Sequence, residues 1–236
     1  MFYTCQIANG IAQLDEEESR HLHTVLRYKS GDSLLLTDGK GNKMEATLLD
    51  SSKKNSVLQI TKIIATPPER PLKLHLAIAP TKNIDRIEWL LEKTTEMGID
   101  TITPIHCARS ERTTLRIERL EKILIAAMKQ SNRTYLPKLN PLTKLPDLLK
   151  QSQNYPQRYI ACCPPNTPPH LNLHLQPKTD ILALVGPEGD FSPEEIALAV
   201  THGFLPVNLG NARLRTETAG LLIVASTKYI CESRFT

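Results

Sequence analysis

No long apolar run, no Cys-x-x-Cys pair and no glycine-rich nucleotide fingerprint occurs anywhere in these 236 residues. Each absence removes a class of protein. Nothing approaches the ~20 consecutive apolar residues that a membrane-spanning helix needs. The first residues, Met1-Phe2-Tyr3-Thr4-Cys5-Gln6, combine neither a basic start nor an apolar stretch, so no secretory leader is expected. Cys5, Cys107, Cys162, Cys163 and Cys231 have no metal-site spacing to one another or to a histidine, and no metal is expected. An odd number of dispersed thiols suits a reducing cytosol, which predicts a cytoplasmic location. Gly-x-Gly-x-x-Gly after a strand and Gly-x-x-x-x-Gly-Lys are both missing, against a Rossmann dinucleotide enzyme and a nucleotide-triphosphate hydrolase. Charge of one sign is also scarce: 29 Lys and Arg against 25 Asp and Glu leave +4, so any basic surface must be local. There is no internal repeat.

What is present reads as two domains. The hydrophobic share of 40% and the charged share of 23% are ordinary for a globular chain, and the length allows one small and one large core. Thr66-Pro67-Pro68-Glu69-Arg70-Pro71, with three prolines in six residues, predicts a stiff linker over 66–71. It separates a domain at 1–65 from one at 72–236. Before it, Phe2 to Ile7, Ser33 to Thr37, Met44 to Leu49 and Val57 to Ile64 have strand character. Asp38-Gly39-Lys40-Gly41 is a hairpin signal, and Glu16 to Arg27 reads as a helix. This predicts a small barrel of short strands. After the linker the pattern alternates: strand Leu74 to Ala79, helix Ile84 to Met97, strand Thr101 to Ile105, helix Leu115 to Ser131, strand Tyr159 to Cys162. Alternation of this kind predicts an α/β domain with a parallel sheet covered on both faces. Pro164 to Pro169 is a proline-rich surface loop.

Two segments of the last quarter carry the chemistry. Ile181 to Val185 is an apolar run of strand length, followed by Gly186-Pro187-Glu188-Gly189. Pro187 fixes φ and Gly189 is free to take positive φ, so the backbone turns tightly and offers its polar groups to a flat ligand. Ser192-Pro193-Glu194-Glu195 behind it reads as a structural helix start, with Ser192 the cap and Glu195 completing a capping box. The second segment leaves a strand at Pro206 to Leu209, turns at Gly210, passes Arg213, Leu214, Arg215, Thr216, Glu217 and Thr218, and enters a helix from Ala219 to Ile230. That helix is apolar nearly all round, so it is buried in the core or against a second subunit. Thr216 and Glu217 suit either a helix start or a site. Arg215, placed between buried elements, calls for an anion: Glu188, Glu217, a phosphate, or charge developing on a substrate. Loops at the carboxyl ends of neighbouring strands are where α/β sheets bind ligands.

Together with His21, Val25-Leu26-Arg27, Gly31-Asp32, Asp38-Gly39, Lys93 to Gly98, Arg109-Ser110, Gln130-Ser131 and Arg133, these two loops make the sequence similar to one family. It resembles the RsmE family, the bacterial 16S ribosomal RNA uridine-N3 methyltransferases of the SPOUT, or trefoil-knot, class. The resemblance implies a PUA-like RNA-binding barrel at 1–65 and a SPOUT domain with a deep trefoil knot at 72–236, paired as a homodimer. It implies S-adenosylmethionine as cofactor, held by Leu184, Val185, Gly186, Pro187, Glu188, Gly189, Leu209, Gly210, Leu214, Thr216 and Ala219. The implied partner is 16S rRNA within the small ribosomal subunit. Three positions depart from the family pattern: Asp190 replaces a glycine, Ala212 stands where an arginine is usual with Arg213 beside it, and Ala126 replaces a glutamate.

The implied reaction moves a methyl group to N3 of an unpaired uridine. A fixed cation near the uracil oxygens would stabilise the developing anion, and Arg215 is the candidate, with Glu217 as a candidate base because neither loop holds a histidine. For RNA contact, Arg27, Lys82 and Arg86 are the candidates. Arg112, Arg116 and Arg119 at helical spacing either track an RNA backbone or form a solvated helix face. Two other readings remain open: an RNA-binding module without catalysis, and a SPOUT methyltransferase acting on a different RNA.

Overall fold

The computed structural model describes residues 1–65, 72–163 and 167–232. The expected linker at Thr66–Pro71 and the start of the proline-rich loop therefore lie outside the described residues. The chain divides into two compact units, one of Met1–Glu69 with Ile125–Leu136, the other of Arg70–Leu124 with Pro137–Thr236.

In the first unit, strands β1 (Phe2–Tyr3), β2 (Gln6–Ala8), β3 (Ile11–Gln13), β4 (Ser33–Thr37), β5 (Lys43–Asp50) and β6 (Val57–Ala65) form one sheet in the order β1-β4-β5-β6-β3-β2. The run expected as one strand from Phe2 to Ile7 is two, and they occupy opposite edges. A flat six-stranded sheet would hold its edges ~24 Å apart, whereas the two intervening residues, Thr4 and Cys5, reach only ~11 Å. The sheet must curl until its edges meet. Buried Thr4 clasps them: its N–H donates to the Thr37 carbonyl at 3.1 Å and its hydroxyl to that of Gln13. Bulges between β5 and β6 supply local curl. Strict alternation puts Leu34 and Leu36 of β4 and Met44, Ala46 and Leu48 of β5 into the core with Leu14, Leu22 and Leu58.

The turn between β4 and β5 is the hairpin expected at Asp38–Gly41, and it has a second task. Gly41 has φ 109°, and a Cβ there would lie 2.5 Å from the Tyr135 ring. Gly41 N–H donates to the Thr134 carbonyl, and Leu136 N–H to that of Gly39. Segment 131–136 thus seats on this turn. Helix α1 (Glu16–Arg20) is shorter than expected. Asp15 caps it by accepting from Glu18 N–H, but from His21 to Val25 the chain widens into a π turn, with Leu26 N–H donating to the His21 carbonyl. Arg27 then takes φ 58° and ends it. Side-chain periodicity cannot distinguish one turn of i→i−5 bonding from i→i−4.

The second unit is a parallel sheet of β7 (Leu74–Ile78), β8 (Thr101–His106), β9 (Lys138–Leu139), β10 (Thr143–Lys144), β11 (Gln157–Ala161), β12 (Ile181–Val185) and β13 (Leu205–Val207). The order is β10-β8-β7-β12-β11-β13, with β9 pairing β8 beside β10. Helices α2 (Ile84–Met97) and α3 (Ile117–Gln130) follow β7 and β8; α4 (Leu145–Lys150), α5 (Pro193–Thr201) and α6 (Thr216–Glu232) come later. The short β9, β10 and α4 carried too little pattern to be expected. Central strands alternate between two apolar faces. Ala77 and Ala79 join Leu145, Leu149, Ala199 and Phe204 on one side. On the other, Leu76 and Ile78 approach α6 so closely that a Cβ on Gly220 would lie 2.9 Å from the Ile78 methyl. Helix α6 is not buried all round: Ala219, Ile223, Val224 and Thr227 form its buried stripe, Leu221, Leu222 and Ala225 are half-buried, and Tyr229 is exposed.

The connection from β12 to α5 corrects one expectation. Gly189 does not take positive φ; Asp190 does, at 62°. Aspartate tolerates this region because its carboxylate bonds locally, here accepting from Phe191 N–H at 2.8 Å and Cys163 N–H at 2.9 Å. Gly186 instead permits close packing, since a Cβ there would lie 3.1 Å from Phe191. The capping box of Ser192 and Glu195 forms as expected, and the second Glu195 oxygen also accepts from Ala108 N–H.

Near the amino ends of the strands, buried His75 sits between Tyr155 hydroxyl at 3.0 Å and Thr103 hydroxyl at 2.7 Å. Burial, with the charge of Lys138 adding to it, lowers its pKa from 6.5 to about 4. The folded state therefore holds His75 neutral, while the unfolded chain takes up a proton below pH 6.5. Stability from this group is complete above pH 6.5 and falls toward pH 4, by on the order of 3 kcal/mol. Urea unfolding at pH 7.5 and pH 4.5 should show that loss, and His75→Gln should shrink the difference; an unchanged difference would clear His75. For the β12–α5 turn, Asp190→Ala should unfold at lower urea than Asp190→Gly by about 1 kcal/mol, since only alanine keeps the strain of positive φ. Equal midpoints would show that the left-handed backbone is not maintained in solution.

Candidate active site

Three cavities open at the carboxyl ends of the second unit's strands, and the two loops singled out in the sequence wall the largest. It encloses about 710 Å³, the size of a cofactor pocket. Its floor corrects the expectation that the loops follow neighbouring strands. β11 lies between β12 and β13, so the end of β11, Ala161 to Cys163, contributes the floor. Nothing in the Tyr159–Cys162 run could reveal that position.

From β13 the chain crosses back past the ends of β11 and β12 to start α6. Thr216 opens α6, and its hydroxyl donates to the Gly186 carbonyl at 3.2 Å, joining the two loops inside the protein. Gly210 turns with φ 117° and with open space where a Cβ would be, while its N–H donates to the Asn208 side chain. Arg109 donates to the Gly189 carbonyl at 2.6 Å, and Lys82 N–H donates to Glu188 at 3.0 Å.

Of the expected cofactor residues, Val185, Gly186, Pro187, Glu188, Leu209, Gly210, Leu214, Thr216 and Ala219 line this cavity together. Leu184 is instead fully buried in the core, and Gly189 meets Arg109. Cys162, Cys163, Asn208 and Asn211 also line it and were not expected. Burial, with the Asp190 charge adding to it, pushes the Cys162 thiol up to about 12, so it stays neutral and is no thiolate nucleophile near pH 7.

A second cavity of about 590 Å³ adjoins the first through Arg213, Leu214 and Arg215, and is otherwise lined by Asp85, Arg86, Trp89, Glu217 and Thr218. Glu217 lines this one, not the first. It is 6% exposed; one carboxylate oxygen lies 3.7 Å from Arg86, and the other has no hydrogen-bond partner among the described residues. A buried carboxylate oxygen without a donor is costly. Arg215 is not wedged between buried elements as expected. It is exposed, and among the described residues no carboxylate lies within ion-pair distance. Its position after Gly210, on the crossing segment, keeps it at the rim.

A third cavity of about 420 Å³ is lined by Lys82, Asn83, Arg86, Glu111 and Glu188. Lys82 pairs with Glu111 at 3.1 Å. Arg27 belongs to the other unit, where it is exposed. The three arginines expected on one helix face do not share one. Arg112 and Arg116 precede α3; Arg112 binds the Thr81 and Lys82 carbonyls, and Arg119 pairs with Glu88 at 2.6 Å. Among the described residues no helix is long and apolar enough to cross a membrane.

Comparison with known proteins agrees with this layout. The RNA methyltransferase domain family matches residues 68–228, and the RNA methyltransferase PUA domain family matches 14–61. Ribosomal RNA small subunit methyltransferase E of Buchnera aphidicola is 30% identical over 89% of this chain and 85% of its own. A crystal structure described as a probable rRNA-methyltransferase from Porphyromonas gingivalis superposes with TM-score 0.90 at 34% identity, covering 99% of this chain and 98% of that one. Ribosomal RNA small subunit methyltransferase E from Neisseria gonorrhoeae, solved bound to S-adenosyl methionine, superposes with TM-score 0.83 at 30% identity, covering 98% and 97%. With the two-loop cavity in the second unit and the curled sheet in the first, this chain belongs to the RsmE family of ribosomal RNA small subunit methyltransferases.

Proposed function

We propose that this protein methylates N3 of a uridine in 16S rRNA of the small ribosomal subunit, using S-adenosylmethionine, in the cytoplasm and as a homodimer. The observation that carries this is the 710 Å³ cavity walled by both loops and adjoining, at Arg213 to Arg215, a second cavity lined by Glu217, whose carboxylate has one buried oxygen without a partner among the described residues. A donor pocket joined to an acceptor pocket is what direct group transfer needs. The crossing of the Gly210–Arg215 segment past β11 and β12 is our candidate for the trefoil knot. Residues 1–65 form the RNA-binding domain and 72–236 the methyltransferase domain in this reading.

The residues fit the cofactor. Val185 to Glu188 and Leu209 to Leu214 would hold it, since the cavity is lined by small residues and loop backbone, with Gly210 leaving open space. Leu184 and Gly189 would support that wall from behind, and Thr216 and Ala219 close it. When bound, S-adenosylmethionine supplies a methyl group made electrophilic by a sulfonium.

This chain's residues do the rest. The uridine N3 must lose its proton to expose an in-plane lone pair, and Glu217 is our candidate to receive it. Arg215, at the boundary of the two cavities and without a carboxylate partner among the described residues, is our candidate to stabilise negative charge growing on a uracil oxygen. Lys82 and Arg86 near the site and Arg27 on the first unit would hold phosphates. N3 lies on the pairing edge, so the base must be unpaired or splayed out. For the homodimer, the support is the half-buried outer face of α6 at Leu221, Leu222 and Ala225 with exposed Tyr229.

The test is to incubate the protein with methyl-labelled S-adenosylmethionine and unmodified small subunits, with free 16S rRNA in parallel, and to identify the labelled nucleoside by mass spectrometry. Label in N3-methyluridine is expected. Label in another nucleoside would displace the uridine-N3 assignment, and failure to bind the cofactor would leave an RNA-binding module. Arg215→Ala should lower kcat by about 100-fold, the size of a lost charge-stabilising contact, with cofactor Kd within a few-fold by calorimetry. Collapse of cofactor binding would move Arg215 from the acceptor to the donor.

A further inference from the structure

The 590 Å³ cavity contains the only tryptophan of the chain, and nothing in the reading so far uses it. Trp89 lies on α2 one turn beyond Asp85 and Arg86, so the three side chains share a helix face. It is 43% exposed, whereas Ile87, Leu90 and Leu91 of the same helix are buried. An indole held at the mouth of a cavity offers a flat apolar face beside charged groups, the pairing that nucleobase recognition uses.

The surroundings decide which ligand fits. Arg86, Arg213 and Arg215 outnumber Asp85 and Glu217 on the cavity wall, and Leu214 adds a second apolar surface. Buried Glu217 contributes a carboxylate oxygen that lacks a donor. A base with an acidic ring N–H flanked by two carbonyls matches that set: its face goes to the indole, its N–H to the carboxylate, its carbonyls to guanidinium groups. The neighbouring 420 Å³ cavity is lined by Lys82, Asn83, Arg86, Glu111 and Glu188, so its two cations are matched by two carboxylates and it offers no aromatic face. The two cavities share Arg86, but only the larger combines a flat apolar face with guanidinium groups.

We infer that the 590 Å³ cavity is the subsite for the acceptor uracil and that Trp89 is its stacking platform, a positioning residue for the transfer. This rests on the methyltransferase reading and adds the acceptor's location to it. The base enters on the α2 side of Arg213–Arg215, across from the cofactor cavity, and stacking holds N3 toward Glu217.

Because Trp89 is the sole indole, its emission reports the subsite directly. With the protein saturated in S-adenosylhomocysteine, an oligouridylate should quench the emission, and an abasic ribose-phosphate oligomer of equal length should not. In methyl transfer to small subunits, Trp89→Ala should raise KM about tenfold, the ~1.4 kcal/mol that one stacked base is worth. Trp89→Phe should recover most of that loss, and both should keep the wild-type cofactor Kd. Unchanged emission while filter binding shows the oligouridylate bound would overturn the inference. So would a blue shift that follows protein concentration alone, which would place Trp89 against a second copy. Failure of the methyltransferase reading is separable, because then wild-type protein transfers no label at all.

Discussion

Helix α6 has one buried stripe, and that stripe packs against α2, β7 and β12, near the centre of the sheet, while the strand that leads into it lies at the sheet's edge. The chain must therefore cross the ends of β11 and β12 to connect them. This constraint makes the site. Gly220 lets α6 come within van der Waals distance of Ile78, and the Thr216 hydroxyl fastens the crossing segment to the Gly186 carbonyl. A cavity forms between the crossing segment and the strand ends because a short loop stretched over a sheet cannot fill the space beneath it.

Charge around the cavities is paired in part, Lys82 with Glu111 and Arg86 with Glu217. Glu188 accepts from Lys82 N–H and so fixes the first loop to the start of α2. Arg109 and Arg112 act on carbonyls, holding the Gly189 turn and the segment after β7. Among the described residues, Arg213 and Arg215 at the rim and one oxygen of Glu217 in the interior are left without such partners. In a folded protein an unpartnered buried oxygen is a debit against stability, and such debits gather where a substrate completes the bonding. The opposite end of the same sheet is closed: His75 is satisfied on both nitrogens and kept neutral by burial.

Asp190 shows how a departure from a family pattern is absorbed. The turn after β12 needs one residue of positive φ, and glycine is the usual solution. Here aspartate takes that conformation and its carboxylate binds two backbone N–H groups, one of them Cys163 at the end of β11. The same substitution thus adds a tie between adjacent strand ends and a negative charge beside Cys162.

The sequence by itself determined every element with a strong local cause. β12 has the expected bounds because five apolar residues between polar turns can only be a buried strand, and α2 runs between the Asn83 cap and a left-handed Gly98. The Ser192–Glu195 capping box and the Asp38–Gly41 hairpin follow from turn and cap chemistry within a few residues, and the two loops were legible through their glycines and prolines. Only the tertiary structure decided that β11 separates β12 from β13, that β1 and β2 close opposite edges of one sheet through Thr4, and that Glu217 and Arg215 face different cavities. It also moved Leu184 into the core and assigned positive φ to Asp190 rather than Gly189. Strand order and side-chain surroundings depend on contacts between residues far apart in the chain. Local periodicity carries no record of such contacts, so the cavity and its unpartnered carboxylate exist only once the sheet is assembled.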